Sequence, residues 1–215
     1  MITYLKNVEY AIKNIFLAIN YDADELKKLL NEYENLVRKP EALRQFGHEM
    51  DYCNNNSAMR AMSYFYQAEM AEKERDSKLP KLNTLIQETT DSINIHKESV
   101  SILCGSMLQF AKQGISISYP VETKGLPETC PPGREIGSEC LSNIIWQARN
   151  HAIHYEESPN HNQSVKDCFS NLENEFGEKL SLSKNPGMNL SKEIIDNILK
   201  WSTYEAFEND MQSLA

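Results

Sequence analysis

The sequence predicts an all-α protein, an up-and-down helical bundle with an N-terminal helical extension. Two observations carry this. Glycine and proline are scarce, 8 of each in 215 residues, which leaves long stretches without a breaker. Apolar residues recur at three- and four-residue spacing through most of the chain, the period of one helix face. Alternation of the strand type is confined to Ile115–Tyr119, and one strand alone is not stable.

Taken in order, Ile2–Ile19 reads as a helix through Leu5, Val8, Ile12, Phe16 and Ile19. Asp22 with Glu25 resembles a capping box, opening a second helix through Leu26, Leu29, Leu30, Tyr33 and Val37. That helix is expected to stop before Pro40, because proline restricts the residue preceding it. Residues 1–40 are therefore read as a helical hairpin, and residues 41–215 as the bundle. A third helix is expected over Glu41–Asp76, weakened at Asn54–Ser57. Its aromatic group Tyr64, Phe65, Tyr66 suits core packing better than base stacking. A fourth runs over Leu79–Gln113, broken near Thr89–Ser92, with Gly105 placed to let another helix approach. The stretch 114–139 reads as a long loop. Helices follow at about 140–157 and at Val165–Phe176, the latter ended by Gly177. A last helix, capped by Ser191, carries Ile194, Ile195, Ile198, Leu199, Trp201 and Phe207.

Composition excludes several classes. No apolar run approaches the length of a membrane span, and the N-terminus lacks a secretory apolar region. Five scattered cysteines without a C-x-x-C pair argue against a zinc ribbon and fit reduced thiols, so a cytoplasmic location is expected. The net charge of −9 disfavours a general nucleic-acid coat, so any nuclease here needs a local cationic cleft. Phosphate-cradling glycine motifs are missing.

Chemistry is written most densely in Leu141–Glu157, LSNIIWQARNHAIHYEE. On a helical wheel Asn143, Gln147, Asn150, His151, His154 and Glu157 share one side, and Leu141, Ile144, Ile145, Ala148, Ala152 and Tyr155 another. His151 and His154 at i, i+3 lack the H-E-x-x-H order of a zinc protease, and no metal or cofactor is expected. Arginine suits phosphate because its guanidinium is always charged and forks onto two oxygens. Histidine suits proton transfer near neutral pH.

Arg149-Asn150 followed by His154 resembles the R-x(4–6)-H signature of the HEPN superfamily. AKQGIS at Ala111–Ser116 and GREIG at Gly133–Gly137 also resemble small prokaryotic members, so the likeness covers roughly Ser101–Leu172. The resemblance implies a HEPN-like bundle and a metal-independent endoribonuclease, a toxin or defence effector, in which a ribose 2′-hydroxyl attacks the neighbouring phosphorus. It implies His154 as general acid and base, Arg149 as the phosphate-binding cation and Asn150 as the residue orienting the imidazole. His151 is a weaker accessory. Arg134 either clamps phosphate or pairs with Glu135 or Glu139.

Arg149 and His154 stand about 140° apart on a straight helix, so one isolated helix does not easily aim both at one phosphate. Local distortion or a two-fold homodimer would solve this, and the resemblance implies the dimer. The tyrosine that marks modification by a partner enzyme in HEPN toxins is replaced by Glu156, with Tyr155 one residue early. A different antitoxin protein is therefore the partner to expect, if any. The competing reading is a non-catalytic HEPN-fold module that binds nucleotide, RNA or a protein.

Overall fold

The computed structural model describes residues 1–53, 58–120, 125–157 and 160–215, and the expected all-α class holds. Two long helices come first, α1 (Ile2–Cys53) and α2 (Ala58–Ser118). A two-residue β1 (Glu135–Ile136) pairs antiparallel with β2 (Glu139–Cys140). Then follow α3 (Leu141–His154), which tightens into a 3₁₀ turn at Tyr155–Glu157, and α4 (Gln163–Phe176). The helix α5 starts at Ser191–Glu193 and widens into a π-helical turn over Ile194–Leu199, and α6 (Tyr204–Ser213) closes the chain. Among the described residues no helix is long and apolar enough to cross a membrane.

Packing divides the chain into two units: Met1–Asn20 together with His96–Ala215, and Tyr21–Ile95. The expected boundary near residue 40 is thus displaced, because α1 neither turns at Asp22 nor stops before Pro40. The Asp22 carboxylate accepts a bond from the Ser92 hydroxyl at 3.0 Å instead of capping a helix. An interior proline costs a helix about 3 kcal/mol. Here Pro40 is buried and its helix continues on both sides, so tertiary packing offsets the loss.

In the second unit Leu29, Leu36 and Leu82 form a small core with Ile86 against it. Ion pairs Arg44–Glu72 at 2.6 Å and Lys39–Glu74 at 3.5 Å tie the two helices. A Cβ on Gly47 would lie 2.9 Å from the Phe65 ring, so glycine is what lets that ring sit there. Phe65 also meets His48 edge-on, and Tyr64 lies near Phe46, which accounts for two of the three clustered aromatics as packing. Neither Pro80 nor Thr89–Ser92 breaks α2. The stretch Asn54–Ser57 lies outside the described residues.

The first unit holds the main core. Leu5 and Ile12 of α1 meet Met107, Leu108, Ala111 and Ile115 of α2 and Ile144 and Ile145 of α3, with Phe169, Ile198, Trp201 and Phe207 from the later helices. GISIS at Gly114–Ser118 is the end of α2 and not a strand. Ile115 is fully buried and Ile117 exposed, a two-residue contrast that a helix also produces. Gly105 behaves as expected: a Cβ there would stand 3.2 Å from that of Ala152, so α2 and α3 approach closely. Gly177 stops α4 in a positive-φ conformation. Ser191 caps nothing, and the expected last helix is two, divided at Lys200 in the left-handed region.

Candidate functional site

Three contacts set the register of α2 against α3. Gly105 meets Ala152, Gln109 meets Arg149 and Lys112 meets Trp146. As numbers rise on α2 they fall on α3, so the helices are antiparallel. Their polar edges open onto a cavity of about 590 Å³ whose lining includes Lys112, Ser116, Trp146, Arg149, Asn150 and His154. That volume suits a small organic ligand or one or two nucleotide units.

Arg149 is half-buried and held by neutral groups. Its Nε donates to Gln109 Oε1 at 2.5 Å and its Nη1 to Asn150 Oδ1 at 3.2 Å. Two of five N–H donors are used, and among the described residues no carboxylate pairs with this guanidinium. Burial pulls its pKa down from the ordinary arginine value, yet a guanidinium stays charged at any physiological pH. Lys112 rests its ammonium 4.6 Å from the centre of the Trp146 ring. Its pKa is lowered by burial first and by the nearby Arg149 charge second. Two like charges therefore share one wall of the cavity, and among the described residues lining it there is no carboxylate.

His154, half-exposed at the other end, places Nδ1 2.8 Å from Glu157 Oε1. An ionised carboxylate only accepts, so Nδ1 carries the hydrogen and the neutral ring keeps its lone pair on Nε2. This corrects the role expected of Asn150. Its amide oxygen accepts from Arg149, and Glu157 in the 3₁₀ turn orients the imidazole. The angular separation of Arg149 and His154 does not keep them apart either. The cavity wraps around that arc of α3, and one chain brings both to it.

His151 is not beside them. It is 2% exposed, with its ring 5.0 Å from that of His161 and 4.8 Å from Phe169. Nε2 lies 3.2 Å from the Met188 carbonyl oxygen and 3.3 Å from the Leu190 nitrogen. A protonated Nε2 donates to the first, and an unprotonated one accepts from the second. The polar side of the wheel is buried here because α3 has neighbours on more than one face. Gln147 is buried for the same reason, in a ladder from Glu139 through Asn143.

Arg134 is also elsewhere. Its Nε and Nη2 grip the Asp210 carboxylate at 2.9 and 3.0 Å, and Nη2 also donates to the Leu199 carbonyl at 2.8 Å. It is a brace between the loop and α6, and its partner is neither phosphate nor the neighbouring glutamates. Gln109, Lys112, Trp146 and Glu157 are the site residues that the motif alone did not single out. The polar sequence Gln109, Lys112, Ser116 at i, i+3, i+7, opposite Met107, Leu108, Ala111 and Ile115, was the available signal.

Comparison of the chain with protein-family models, with curated proteins and with solved structures finds no match in any of the three.

Proposed function

We propose that this protein is a metal-independent endoribonuclease of HEPN type, with Arg149 and His154 acting on one phosphodiester. The observation that carries the reading is the cavity itself. It joins a guanidinium held by two side-chain amides to an imidazole whose tautomer a carboxylate sets, on a chain whose net charge is −9. A local cationic cleft in an acidic chain selects a small anionic segment over bulk nucleic acid.

In this reading His154 Nε2 takes the proton of a ribose 2′-hydroxyl as O2′ attacks the adjacent phosphorus. The free N–H groups of Arg149 bond the phosphoryl oxygens as negative charge builds on them. The P–O5′ bond breaks, the proton returns from His154 to O5′, and the products are a 2′,3′-cyclic phosphate and a 5′-hydroxyl. Glu157 holds the ring and offsets its transient positive charge. The cell would use such an activity as a toxin or defence effector in the cytoplasm. An antitoxin protein covering the cavity would silence it. Two copies of the chain associate through apolar residues next in sequence to the cavity, Ile153 and Ile117, which are 51% and 56% exposed.

The test is incubation of purified protein with total RNA in EDTA, comparing wild type with His154→Ala and Arg149→Ala. Cleavage by wild type, reduced at least a hundredfold in both variants, is the expected result. Binding without cleavage would replace it with the alternative, a non-catalytic HEPN-fold module.

A further inference from the structure

Resting on that ribonuclease reading, we propose that Lys112 on its Trp146 seat is a second phosphate subsite. It would take the phosphodiester next to the one that is cut, so the preferred substrate is RNA with at least two consecutive phosphodiesters. The antiparallel register orders three stations along the cavity: His154, then Arg149, then Lys112 at the level of Trp146. Trp146 and His154 are eight residues apart on α3, about 12 Å along its axis at 1.5 Å per residue. A single phosphate cannot touch both ends. A guanidinium and an imidazole suffice for the scissile group, and that leaves the ammonium with no task in the chemistry.

Lys112 is nonetheless arranged as a binding group. Its ammonium sits over the indole, a cation–π contact that fixes where the charge sits. Among the described residues it has no carboxylate partner, unlike Lys13, Lys73 and Lys78, which pair with glutamates one helical turn away. Placing it beside Arg149 in a partly desolvated wall costs free energy in the empty protein, as its lowered pKa reflects. A second phosphate relieves that repulsion. A trinucleoside diphosphate supplies both anions, whereas a dinucleoside monophosphate supplies one.

The experiment compares kcat/KM on a dinucleoside monophosphate and on the matching trinucleoside diphosphate, with binding of an uncleavable 2′-O-methyl trinucleotide followed by anisotropy. Wild type should prefer the longer substrate about tenfold, the size of one charge-assisted contact. Lys112→Met keeps an unbranched side chain of similar length and removes the charge. It should bring the ratio close to unity, chiefly through KM, and lower the slope of log Kd against log salt by about one. Lys112→Arg should restore the preference. A wild type that cuts both substrates equally well overturns the second subsite and leaves the ribonuclease reading in place, as does a Lys112→Met ratio equal to wild type. A wild type that neither cuts nor holds RNA removes both.

Discussion

The most quantitative consequence of the structure concerns His151. Its ring sits 2% exposed against His161 and Phe169, and Nδ1 is buried with no hydrogen-bond partner among the described residues. Burial first, and the His161 charge second, push its pKa down to about 4 from 6.5. The folded value lies below the unfolded one, so between these two pH values the unfolded chain binds more protons. The contribution of His151 to folding stability is therefore fully present above pH 6.5 and is lost as pH drops toward 4. Below that both states are protonated and this contribution no longer changes. A difference of about 2.5 units at 1.36 kcal/mol each is about 3 kcal/mol, a large share of a typical domain's stability. Urea unfolding followed by the fluorescence of buried Trp201 at pH 7.5 and 4.5 measures it. His151→Phe keeps a ring at this buried position and removes the titration. The variant loses the bonds to Met188 and Leu190 and starts less stable. The decisive quantity is the difference between the two pH values, which should shrink by about 2–3 kcal/mol relative to wild type. An equal difference in both proteins would refute the assignment of a buried neutral His151.

Three further outcomes are expected. Arg134→Ala leaves Asp210, 13% exposed, with Trp201 Nε1 as its remaining side-chain donor. It should destabilise the fold by about 1–3 kcal/mol in urea titrations while RNA cleavage by the folded protein is unaltered. Gly137→Ala should also destabilise, by about 1–2 kcal/mol. The residue has φ of +63°, and its new Cβ would collide with the Glu175 carboxylate, which accepts the Ser138 N–H; thermal unfolding reads this. Glu157→Gln should lower kcat on RNA about tenfold or more with little change in KM or in thermal unfolding. The imidazole ¹⁵N shifts should then show the hydrogen of His154 no longer confined to Nδ1, and unchanged shifts would count against the role given to Glu157.

Local pattern carried the sequence reading where structure is local. The stop at Gly177, the close approach at Gly105 and the extent of the motif helix all follow from one residue's conformational freedom or from period alone. The failures share a cause. Asp22, Pro40 and Ser191 are sound boundary signals for an isolated helix, yet in the chain Asp22 finds Ser92, and α1 continues through a buried proline. His151 and Gln147 fall on the polar side of the wheel, but a wheel has no way to show that a second neighbour covers that side. The same limit hid Lys112 and Gln109. They lie some forty residues before Arg149, and only the antiparallel seating of α2 on α3 brings them to it. Glu157 was in view from the start, and its pairing with His154 needed the 3₁₀ tightening after α3.

What separates Arg149 from Arg134, Arg44 and Arg38 is the kind of partner each one has. Arg134 grips a partly buried aspartate, and Arg44 and Arg38 pair with glutamates. Each of those charges is neutralised within the fold and has little left for an incoming anion. Arg149 is positioned by two side-chain amides, which accept its N–H groups without cancelling its charge. The choice is costly in a half-buried wall, because an amide returns less electrostatic energy than a carboxylate for the hydration that is lost. Lys112 repeats the pattern with an aromatic face in place of a carboxylate. Stability alone would favour a glutamate at either place, in a chain with 31 acidic residues to 22 basic ones. Two cations buttressed by neutral groups line one cavity with an imidazole that does have its carboxylate, and the proposed phosphodiester substrate is the counter-charge this arrangement suits.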